Sequence, residues 1–183
     1  MRLCGQAPLS PYPPGAPLTD RQIEVMAPAI HETYTALDLK TGSLKKGDEK
    51  SFDQLDTFLK DSNRAAAARM LTILNLIGLR LTKGSASPAE ESAVRAQLEY
   101  SLEALAEAEH DAWMDWHFAR GWRYGRETNR AQQIHQCLRP YTQLAKVDTD
   151  KDRDAIRHYP DFARTAGLKI IFPAATTATP ARR

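Results

Sequence analysis

Two short stretches of this 183-residue chain set a guanidinium beside a residue that favours helix starts, Asn63-Arg64 and Asp152-Arg153. In the first turn of a helix, unpaired amide hydrogens and the positive end of the dipole favour an anion such as phosphate. Arg64 is followed by four alanines, whereas Arg153 is flanked by Asp152 and Asp154, so local charge makes Arg64 the stronger anion contact. Glu107 and His110 have the i, i+3 spacing of carboxylate-bridged di-iron helices, which need a second such pair. GWRYG at 121–125 flanks Trp122 and Tyr124 with glycines, a pattern for a tight turn into a strand, with packing as the default role of both rings. No phosphate-binding P-loop, nucleophile elbow, CxxC or HExxH occurs, and neither Cys4 nor Cys137 has a base nearby in sequence. These residues give no catalytic constellation, and a non-enzyme without cofactor or metal is expected.

The elements that must position these residues are helical. Thr19 with Gln22 and Ser87 with Glu90 are capping boxes, the second with Pro88 in the favoured first position. The first opens an amphipathic helix carrying Ile23, Met26, Ile30 and Tyr34, which Pro28 must kink or delay. The second predicts one long helix to about Arg120. Further helices are predicted near 62–77 and 152–166, ended by Gly78 and Gly167, with Pro160 breaking the second. LKIIF at 168–172 reads as a strand. Residues 1–17, with five prolines, and 173–183 read as a leader and a tail around the folded part.

An internal repeat organises these elements. FDQL at 52–55 recurs as YTQL at 141–144, an offset of 89 that also aligns Asn63 with Asp152, Arg64 with Arg153 and Gly78 with Gly167. MAPAIHETY at 26–34 aligns with LAEAEHDAW at 105–113 at an offset of 79, so the second copy carries ten extra residues. The expected fold is mainly α with short antiparallel β segments, two copies at 18–82 and 83–172 packed about a pseudo-twofold axis. The segments 52–81 and 141–170 should share a strand-helix-strand trace. The partner of Glu107 in the first copy is Pro28, so the second di-iron pair is missing.

The second copy resembles the RyR domain, the repeat of ryanodine receptors, through LAEAEHDAW, GWRYG, IHQCLRPYTQL at 134–144, DKDRDAIR at 150–157 and AGLKI at 166–170. The first copy resembles a divergent leading half, through IHETY at 30–34 and LKDSNRAAA at 59–67, but lacks GWRYG; its polar KTGSLKKGDEKS at 40–51 should be a loop. The resemblance implies helices with short antiparallel strands and a non-catalytic pair of repeats that binds an adenine nucleotide in the groove between them. It places base-stacking rings at Tyr34 and Trp113 and polar contacts at Asn63, Arg64, Asp152 and Arg153. His31 and His110, three residues before the rings, and Tyr124 complete the candidate site. Two aromatic rings related by a pseudo-twofold can sandwich a planar base, although aromatics at helical spacing also serve as core.

Formal charge is +2, from 25 basic and 23 acidic residues, which excludes a nucleic-acid coat function. The longest apolar stretch, Met70 to Leu79, is far short of the roughly 20 residues of a spanning helix. The opening residues lack the apolar core of a secretory signal, and two cysteines give no disulfide framework, so a reducing cytoplasm is expected. The functional expectation is a sensor, regulator or sponge for an adenine or other purine nucleotide, cyclic signals included, its output carried by a protein partner. The alternative is an interaction or structural module with the same fold and no small ligand.

Overall fold

The computed structural model describes residues 17–173. The leader and the tail lie outside these apart from one residue each. Six helices dominate. Helix α1 (Asp20–Thr41) starts at the Thr19 capping box and runs through Pro28 without interruption. Met26, Ala27 and Ile30 face the core. Helix α2 (Thr57–Leu76) is capped by the Asp56 carboxylate, which accepts the Leu59 amide. It ends in a Schellman motif, with Gly78 at φ 75° and the Leu79 amide donating back to the Leu74 carbonyl. Strand β1 (Arg80–Lys83) follows.

The single long helix expected after Ser87 is two, α3 (Pro88–Tyr100) and α4 (Leu102–Phe118). The break lies at Ser101, whose backbone (φ −102°, ψ 10°) leaves the helical region. It lets Leu98, Leu102 and Leu105 all turn into one core. Beyond α4, Gly121 (φ 81°) ends the helix, and the Trp122 amide donates back to the His117 carbonyl. Strand β2 (Arg123–Tyr124) pairs with β3 (Ile134–His135) in parallel, whereas the short β segments were expected to be antiparallel. Helices α5 (Lys146–Arg157) and α6 (Tyr159–Thr165) divide at His158, with Pro160 in the first turn of α6, and β4 (Leu168–Ile171) closes the order.

The element bounds repeat. Phe52–Gln54 and Tyr141–Gln143 are both single 3₁₀ turns, not the strands expected there. Helix α2 spans 57–76, and α5 with α6 spans 146–165, each 89 residues further on. β1 and β4 pair antiparallel with Leu81 opposite Ile170, themselves 89 apart, so the pseudo-twofold passes through that pair. The core gathers Met70, Leu74, Leu79, Leu98, Leu105 and Ile156 from both halves. No described helix is long and apolar enough to cross a membrane.

Candidate functional site

A groove of about 930 Å³ runs between the two halves. Seven of the nine predicted site residues line it: His31, Tyr34, Asn63, His110, Trp113, Tyr124 and Asp152. Helices α1 and α4 bring Tyr34 and Trp113 to it, both partly buried. Trp113 is not held by the groove alone, because its ring packs against His110, His117 and His135 at centroid distances of 5.6, 4.1 and 5.0 Å. Tyr124 is half-exposed, whereas its neighbour Trp122 is buried and stacks on Phe58 of α2 at 4.8 Å. GWRYG thus divides its rings between packing and the groove wall.

Arg64 and Arg153 do not line the groove. Each begins in the second turn of its helix rather than the first, because α2 and α5 start at Thr57 and Lys146. Asn63 and Asp152 therefore cap nothing; the Asn63 amide donates to the Leu59 carbonyl. The Arg64 guanidinium donates to both oxygens of Glu24 (2.7 and 3.1 Å) and to Asp61 (2.9 Å). Arg153 does the same with Glu103 (2.6 and 2.8 Å) and Asp150 (2.8 Å). These are equivalent clamps, each tying the second helix of its half to the helix before it. The four alanines after Arg64 gave no sign of this, because the decisive carboxylate comes from α1.

The equivalence extends to the histidines. His31 Nε2 meets the Lys50 carbonyl at 2.7 Å, and His110 Nε2 meets the Arg139 carbonyl at 2.9 Å. His110 Nδ1 also faces Asp152 at 3.4 Å. Burial raises the Asp152 pKa, while the Arg139 carbonyl and the Asp152 carboxylate both favour the protonated ring. Burial opposes that charge, but the Asp152 carboxylate and the Arg139 carbonyl outweigh it and raise the His110 pKa. Burial pushes His117 and His135 the other way, to about 4. Burial, then the Asp148 carboxylate, pushes the Cys137 thiol up to about 12, leaving it protonated and unreactive at neutral pH. Glu107 is exposed while His110 is buried, so the two do not share a site.

Under the groove lies a network that sequence reasoning missed. Glu109, only 3% exposed, accepts from Arg69 Nε (3.1 Å) and Nη2 through one oxygen and from the Tyr159 hydroxyl (3.1 Å) through the other. Burial opposes the Arg69 charge, but Glu109 overcomes it and holds the guanidinium pKa above its usual value. Arg69 lines the groove, and its Nη1 is buried without a partner. Such an orphan donor costs about 1–3 kcal/mol, which a ligand oxygen would recover. The signal was Arg69 and Glu109, a basic and an acidic residue on faces otherwise apolar; only the fold shows that those faces meet. Lys50, Arg126 and Arg139 also line the groove and make no ion pair among the described residues. Arg130, by contrast, reaches Asp56 at 3.0 Å and ties the inserted loop to the start of α2.

A helical fold closed by one antiparallel strand pair, with an aromatic and cationic groove on its pseudo-twofold, defines a duplicated, mainly α module. Residues 87–170 match the family model of the RyR domain, and the chain carries an RyR domain over that segment, from α3 to β4. No curated protein matches the chain.

Proposed function

We propose that the chain is a non-catalytic module that binds a purine nucleotide, adenine included, in the groove between its halves and acts as a sensor, regulator or sponge. The observation that carries this reading is the groove's lining: Tyr34 and Trp113 as stacking surfaces, with Arg69 Nη1, Lys50, Arg126 and Arg139 lacking carboxylate partners. Base stacking on an aromatic side chain contributes about 1–3 kcal/mol, and unpaired cations favour phosphate. His110 has both nitrogens engaged, which favours a positioning role over a catalytic one for that ring. The compartment proposed is a reducing cytoplasm. Output would pass to a protein partner or arise from removing the ligand from solution.

The test is a thermal-shift and calorimetric screen against adenosine, guanosine and their mono-, tri- and cyclic phosphates. A purine nucleotide at about a hundredfold its Kd should stabilise the fold by about 2.7 kcal/mol. Trp113→Ala should weaken binding tenfold or more and also lower the melting temperature, because three histidines lose their neighbour; Trp113→Phe should restore most of both. Absence of any shift with every nucleotide would replace this reading by that of an interaction module.

A further inference from the structure

We propose that the groove takes a ligand built of two nucleotides, with two bases and two phosphates, rather than a mononucleotide. This rests on the nucleotide reading above and names the ligand class for the same site. Each half supplies the same recognition unit. In the first, His31 fixes the carbonyl of Lys50 and precedes Tyr34 by three residues; in the second, His110 fixes the carbonyl of Arg139 and precedes Trp113 by three. All six residues line the groove. The groove is therefore furnished twice, with one ring and one cation from each side of the axis marked by Leu81 and Ile170.

The cations of these units differ from the other equivalent pair. Arg64 and Arg153 are each held by two carboxylates, whereas Lys50 and Arg139 have no carboxylate partner among the described residues. The Arg139 Nε is moreover buried and unpartnered. A single phosphate group satisfies one such station; two stations related by a twofold match a molecule with its own twofold or near-twofold arrangement of phosphates. At about 930 Å³ the groove also lies near the top of the range of about 300–1,000 Å³ for small-ligand sites, more than one base, sugar and phosphate require. A cyclic dinucleotide or its linear counterpart has this chemistry: two planar bases for the two rings and two phosphodiester or phosphate charges for the two cations.

The test is calorimetry of the full chain with AMP and GMP, with cyclic diadenylate and cyclic diguanylate, and with linear pApA and pGpG. A cyclic or linear dinucleotide should bind one per chain and at least tenfold more tightly than its mononucleotide. Lys50→Ala and Arg139→Ala should each lower that affinity by about tenfold, while the exposed position of Lys50 leaves the melting temperature of its variant unchanged. A mononucleotide that binds as tightly as the dinucleotide, two mononucleotides per chain, or loss with only one of the two variants would overturn the two-nucleotide assignment alone. No binding by any nucleotide would overturn the nucleotide reading as well.

Discussion

At the scale of single residues, the histidines set opposing responses to pH. His110 has a raised folded pKa, so the stability it contributes is complete below the unfolded value of about 6.5 and is lost as pH rises through the folded value. His117, 3% exposed and pushed to about 4, works in the opposite direction. Between about pH 4 and 6.5 the unfolded chain binds the proton that the folded His117 refuses, so stability falls as pH falls, by on the order of 3 kcal/mol over that window. Unfolding free energy should therefore peak near neutral pH. His117→Phe should make the acid limb shallower, with His135, also at about 4, supplying the rest, and His110→Gln should flatten the alkaline limb in denaturant titrations run across the range. A neutral peak that neither variant alters would mean other groups set it. The candidate residues were legible at this scale where a side chain acts through its own sequence neighbourhood. His31, Tyr34, His110 and Trp113, the positions to which the resemblance pointed, all line the groove. Arg64 did not, because Glu24, 40 residues earlier, claims it.

At the scale of elements, the caps were readable and the continuity of helices was not. Thr19, Ser87, Gly78 and Gly167 end or begin helices as their types require. Ser101 breaks the run from Pro88 to Phe118 although nothing in its type demands a stop. That break comes from packing, since α3 and α4 must both turn apolar faces to a core filled from the other half. The ten-residue insertion is the least legible element. Its parallel β2–β3 pair holds the loop that brings Tyr124 and Arg126 to the groove, and it depends on Gly125, where an added Cβ would lie 2.3 Å from Ile134 Cγ2. Ile134 is β-branched and stiff at χ1, so it yields poorly. Gly125→Ala should cost about 1–3 kcal/mol in chemical denaturation. It should also weaken any groove ligand, while the α1–α2 half keeps its helical circular dichroism.

At the scale of the whole molecule, the offsets of 89 and 79 held most of the architecture: 3₁₀ turns, helices, clamps and strands recur at them. The β1–β4 pair was not expected as the joint between the halves, because strand pairing depends on residues far apart in the chain. That joint makes the halves one cooperative unit. Ile170, 3% exposed and opposite Leu81, fills the shared core, so Ile170→Ala should cost about 2–5 kcal/mol. Urea titrations followed by tryptophan fluorescence and by circular dichroism should shift together. The only tryptophans, Trp113, Trp116 and Trp122, lie in the second half, so separated transitions would show that the halves unfold independently.

The same joint sets an order in time. During synthesis, β1 leaves the ribosome with Leu79 and Leu81 uncovered, and its partner strand follows only after roughly ninety more residues. At about 5–20 residues per second that is an interval of several seconds, long against the microsecond formation of single helices. Until β4 is made, β1 has no strand to pair with. Lys83, exposed at the end of β1, supplies a charge that disfavours pairing of such an edge with another chain.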